Sequence, residues 1–93
     1  MKSLNSPAII LNPIYHLEKS NDKFSIIDNR GEEIGTLTES TKELIDYLNQ
    51  RLPLNEICLI FSNKTQQTID YVKKNMIKTL QFLLANQILV EIS

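Results

Sequence analysis

The hydrophobic pattern changes period near residue 39, and this constrains the fold more than any other feature. Before that point, short stretches mix β-branched and aromatic residues with polar ones. Examples are Ile14-Tyr15-His16-Leu17-Glu18 and Lys23-Phe24-Ser25-Ile26-Ile27-Asp28. Such mixing suits half-buried strands. After it, apolar residues recur at intervals of three and four, the spacing of amphipathic helices. Ser20-Asn21-Asp22 is a turn cluster, and Asn29-Arg30-Gly31 a tight turn in which Gly31 can take positive φ. Glu33-Ile34-Gly35-Thr36-Leu37 supplies a third strand, although Gly35 weakens it. Two successive hairpins predict a three-stranded antiparallel meander.

The helical half begins at Ser40-Thr41-Lys42-Glu43, a capping box with Ser40 as N-cap. Leu44, Ile45 and Leu48 form its stripe, and Gln50-Arg51-Leu52-Pro53 ends it. Pro53 suits the first turn of a second helix bearing Leu54, Ile57, Cys58 and Phe61. Polar Ser62-Asn63-Lys64-Thr65 separates this from a long third helix over residues 66–85. The third stripe is Ile69, Val72, Met76, Leu80 and Leu83, flanked by Ile77 and Leu84. Tyr71 and Phe82 lie on another face, where they either pack beneath the sheet or mark a partner surface; packing is the expectation, because a helix between a sheet and two helices needs two apolar faces. Asn86 is the expected left-handed helix cap, followed by a terminal strand over residues 88–92. The expected fold is α+β: a three-stranded antiparallel sheet followed by a three-helix winged helix-turn-helix bundle. One domain spans residues 13–93, and residues 1–12, with Pro7 and Pro13, are expected to form a loose arm.

Composition removes most functional classes. The chain has 93 residues, 10 basic and 11 acidic, for a net charge of −1. Near-neutrality argues against a dedicated nucleic-acid binder, whose affinity rests on neutralising phosphates. One Cys and one His exclude an internal disulfide, a Cys-rich zinc site and a multi-His metal site. Two glycines cannot build a phosphate-cradling loop. No stretch approaches the roughly 18 apolar residues of a membrane span, and residues 1–5 carry no apolar signal core. The expectation is a cytoplasmic binding module without catalytic residues, metal or cofactor. Cys58 is expected to be a buried, inert thiol and His16 a strand histidine at or near the surface.

Residues 13–92 resemble the PqqD-like domains, or RiPP recognition elements. The resemblance rests on the strand pair Phe24-Ser25-Ile26-Ile27-Asp28 and Ile34-Gly35-Thr36-Leu37, and on Thr38-Glu39-Ser40-Thr41 leading into Leu44-Ile45-Asp46-Tyr47-Leu48. Leu54-Asn55-Glu56-Ile57 matches the start of the family's second helix. Val72, Met76, Leu80, Leu83 and Ile88-Leu89 match its last helix and apolar end. These motifs specify apolar spacing rather than chemistry. Two positions depart from the family, which often has Gly where this chain has Gln87 and Asp where it has Asn75.

The resemblance implies a non-catalytic adaptor that captures the leader segment of a ribosomally made precursor peptide as an added strand. It would present that precursor to a tailoring enzyme, either a leader peptidase of lasso-peptide type or a radical-SAM protein. An exposed sheet edge has the chemistry for this, because unpaired backbone groups accept an extended peptide. By resemblance the leader-binding positions are Glu33, Ile34, Gly35, Thr36 and Leu37 on the strand, with Ile69, Val72, Lys73 and Met76 on the helix. Gly35 would let another backbone approach closely; a bulge or a poorly formed edge explains it equally. Lys73, Lys74 and Lys78 against Asp70 give the third helix a local charge of +2, while residues 39–63 carry −2. A basic helix beside an open edge suits an acidic leader, and a solvated face explains the same charges. Two rival functions use the same elements. A winged-helix DNA-binding regulator would insert the third helix into the major groove, but that helix has no Arg to read bases. A strand-edge dimerisation module would pair residues 33–37 of two copies, making the chain a homodimer rather than a monomer.

Overall fold

The computed structural model describes residues 8–92. It is α+β, with five strands and three helices among those residues. They run in the order β1 (Ile9–Leu11), β2 (His16–Ser20), β3 (Lys23–Ile27), β4 (Glu33–Leu37), α1 (Glu39–Asn49), α2 (Leu54–Thr65), α3 (Ile69–Ala85) and β5 (Leu89–Glu91). Strands β2, β3 and β4 form the three-stranded antiparallel sheet in that order. The turns fall where the polar clusters lie. Asn21 takes φ 58° between β2 and β3, and Gly31 takes φ 84° between β3 and β4. The second turn is built on Asp28, whose carboxylate accepts from the backbone N–H groups of Arg30 (2.8 Å) and Glu32 (2.9 Å).

Ile9–Leu11 is not part of a loose arm but pairs antiparallel with Leu89–Glu91 as a separate two-stranded sheet. Ile92 N–H donates to the Ala8 carbonyl (2.7 Å) and Asn12 N–H to that of Ile88 (2.9 Å), so backbone bonding continues past both strand ends. The Asn12 side chain donates to the Gln87 carbonyl and Asn49 accepts from Leu11 N–H, tying the ribbon to the ends of α3 and α1. The arm expectation for residues 1–7 lies outside the described residues.

The core sits where the three helical stripes meet this ribbon. Leu44, Ile45 and Leu48 of α1, Ile57 and Cys58 of α2, and Val72, Met76, Leu80 and Leu83 of α3 are buried together with Ile9, Ile88 and Leu89. The meander contributes Ile26 and Leu37 from its inner face. Lys42 of α1 lies 5.3 Å from the centre of the Phe24 ring in β3, fastening helix to sheet.

Helix boundaries differ from the expected ones for local reasons. Thr38, not Ser40, caps α1: it is extended, and its hydroxyl accepts from Thr41 N–H at 3.3 Å. Residues 62–65 do not separate the helices, because α2 continues to Thr65 and ends on Gln66 at φ 59°. Thr68 then caps α3, accepting from Tyr71 N–H at 3.2 Å. At the end of α3, Gln87 rather than Asn86 takes the left-handed position, at φ 58°. Gln87 N–H bonds to the Leu84 carbonyl and Ile88 N–H to that of Leu83, a Schellman ending sealed by two buried apolar residues. Arg51 at φ 64° ends α1 with the same pair of bonds, to Leu48 and Tyr47. Neither glycine is used at a helix end.

Tyr71 and Phe82 do not pack beneath the sheet. They are 52% and 62% exposed, because α3 buries its stripe against α2 and β5 and turns this face outward. No helix among the described residues is long and apolar enough to cross a membrane.

Candidate functional site

Among the described residues, no strand pairs with the outer edge of β4. The strand is irregular. Ile26 pairs with Gly35 and Ile27 with Glu33, so Ile34 is an extra residue, a bulge on the edge strand. Glu33, Ile34 and Thr36 are exposed, Gly35 is half-buried and Leu37 is buried. Gly35 is not in the left-handed region. A Cβ added there would meet Ile26 Cδ1 at 3.9 Å, an ordinary contact. Its value therefore does not lie in relieving strain within the sheet. The bulge lies one residue before it, at Ile34.

The β4 strand leads directly into α1, whose Ser40, Thr41 and Leu44 line a groove of about 200 Å³. The floor is Leu44, Phe61, Val72 and Met76; Ser40, Thr41, Thr65, Gln67, Asn75 and Thr79 form the polar wall. On α3, Val72, Asn75, Met76 and Thr79 fall on one face at spacings of three and four, so the helix supplies alternating apolar and polar contacts. The Thr79 hydroxyl donates to the Asn75 carbonyl (3.1 Å). Asn75 thus brings a neutral side chain to the groove lining.

Two contacts fix the groove from α1 and α2. The Tyr47 and Phe61 rings meet edge to face with centres 5.9 Å apart. Glu43 of α1 pairs with Lys64 of α2 and accepts from the Tyr47 hydroxyl (2.9 Å). The Lys64 ammonium, aided by the Tyr47 hydroxyl, holds the Glu43 carboxyl below its usual range against the opposing effect of burial. The same carboxylate pushes the Tyr47 hydroxyl up.

The structure brings only some of the expected residues together. Val72 and Met76 line the groove, whereas Glu33, Ile34, Gly35, Thr36 and Leu37 form the edge strand and none of them lines it. Ile69, 45% exposed, lies at the first turn of α3 outside the groove. Lys73 falls across Met76 from it and lines a second cleft instead. The other groove residues, Ser40, Thr41, Leu44, Phe61, Thr65, Gln67, Asn75 and Thr79, lie outside the expected site. The polar pair Asn75 and Thr79, interleaved with Val72 and Met76, was the available signal. His16 lies exposed in β2 with Nε2 2.7 Å from Glu18 Oε2. Cys58 is buried, and burial pushes its thiol up. No group of three or more His, Cys, Asp or Glu residues able to hold a metal occurs among the described residues.

Compared with known proteins, the chain matches no family model, no curated protein and no solved structure.

Proposed function

We propose that this chain is a non-catalytic adaptor that binds the leader segment of a ribosomally synthesised precursor peptide by strand addition to β4. The observation that carries the reading is the outer edge of β4, left unpaired by every described strand, together with the groove floored by Leu44, Phe61, Val72 and Met76 that the first turns of the following α1 help to line. Backbone bonds along Glu33–Leu37 would give affinity with little sequence demand. The groove would take an apolar leader side chain, and its neutral polar wall would satisfy the neighbouring amides. In this reading the helices and the β1–β5 ribbon form a winged helix that acts as scaffold rather than as DNA reader. A tailoring enzyme, a leader peptidase or a radical-SAM protein, would receive the precursor at raised local concentration. The setting proposed is the cytoplasm, where Cys58 stays a thiol.

The test is fluorescence anisotropy of a labelled synthetic leader peptide from the precursor encoded beside this gene. Saturable binding at a ratio of one to one is expected. Absence of binding to every neighbouring precursor rejects the reading. If β4 instead pairs two copies of the chain, size-exclusion chromatography gives a dimer that peptide fails to dissociate. A DNA-binding role would show as duplex binding that falls steeply with salt.

A further inference from the structure

A second cleft, of about 370 Å³, lies between α2 and α3 on the other side of Met76, with β1 and β5 contributing at its margin. Leu54 and Cys58 come from α2, Ile77, Leu80 and Leu84 from α3, and Ile9 from β1. Its volume lies within the roughly 300–1,000 Å³ of small-molecule sites, which are mostly apolar with a few placed polar groups. The polar groups here are Lys73, Asn55, Gln81 and Glu91. Lys73 is exposed and has no carboxylate partner among the described residues. Its charge acts on the Cys58 thiol against the effect of burial, which sets the ammonium within electrostatic reach of the cleft wall. A cation without a carboxylate partner at a mostly apolar cleft, whose one lining carboxylate, Glu91, is engaged in an interaction of its own, complements one kind of small molecule: an aliphatic chain ending in an anion.

We propose that this cleft binds a medium-chain aliphatic carboxylate. The chain lies among Leu54, Ile77, Leu80 and Leu84, and the carboxylate sits on the Lys73 ammonium. Transfer of methylenes from water supplies the affinity, and the ion pair orients the head. The site is separate from the β4 edge and stands whether or not a leader peptide binds there.

Amide and methyl NMR shifts of the full chain, titrated with sodium decanoate below its micelle concentration, test the proposal. Saturable shifts are expected at Cys58, Ile77, Leu80 and Leu84, with octanoate binding roughly tenfold more weakly for its two fewer methylenes. Lys73→Met is expected to weaken decanoate at least fivefold while leaving 1-decanol unchanged. Ile77→Glu, at a solvent-facing position that should not disturb folding, is expected to weaken both. Cleft resonances that do not move with decanoate overturn the proposal. So does equal binding of decanoate and decanol with no effect of Lys73→Met, which would mark an unspecific apolar surface. Shifts that follow protein concentration rather than decanoate would also overturn it, assigning the cleft to a second copy of the chain.

Discussion

The molecule has two small sheets, and their contrast is instructive. The β1–β5 ribbon is only three residues long on each side, yet Ile9 and Leu89 are buried and Asn12 and Asn49 tie it to two helices. The β2–β4 meander is longer, but β2 is mostly exposed and only Ser25, Ile26 and Leu37 are buried across the sheet. Short strands wrapped into the core serve stability. A longer sheet fastened on one face, with the outer edges of β2 and β4 unpaired by any described strand, is available for contact. Differences in the response of the two sheets to substitution should follow this division.

The largest effect belongs to the ribbon. Leu89 is 1% exposed, so Leu89→Ala should cost about 2–5 kcal/mol through lost burial and the cavity left behind. Urea unfolding measures it; a change below 1 kcal/mol would place the ribbon outside the cooperative core. Next comes the meander edge. Thr36→Pro removes a donor from an exposed edge position and should weaken leader binding at least tenfold while helical circular dichroism is retained. Unchanged affinity would put the leader elsewhere.

A smaller effect tests the junction of α3 with the ribbon. Gln87 holds a left-handed conformation that costs residues with a Cβ about 1 kcal/mol or more. Gln87→Gly should therefore raise stability by roughly 1 kcal/mol, read as an increase in Tm, without altering peptide affinity. The smallest effect is at the β3–β4 turn. The backbone N–H groups of Glu32 and Arg30 hold the Asp28 carboxyl below its usual value of 3.8. A lowered native pKa means that its contribution is present above the unfolded value and is lost as pH falls through the lower native one. In Asp28→Asn that acid-side loss, below about pH 4, should be shallower than in the parent, as measured by denaturation at stepped pH.

The sequence made the helices and the meander legible because their signals are local. The stripes of Leu44, Ile45 and Leu48 and of Val72, Met76, Leu80 and Leu83 point inward as their spacing requires. Gly31 takes the positive φ its turn needs. What escaped was non-local. Ile9-Ile10-Leu11 is an apolar β-branched run between two prolines, yet its partner is about eighty residues away and no turn signal joins them. Tyr71 and Phe82 illustrate the reverse error: aromatic residues invited burial, but the sheet expected to cover them packs on α1 instead. The candidate site was half legible. The β4 strand falls at its expected residues, but the bulge at Ile34 and the groove polar residues depend on the register of β3 and the approach of α1.

Backbone hydrogen exchange with and without leader peptide tests strand addition most directly. Added peptide should slow exchange of outward-facing amides within Glu33–Leu37 by at least tenfold, with little change in the β1–β5 ribbon. Saturable binding that leaves the β4 amides unprotected, or protects α3 alone, would contradict the account.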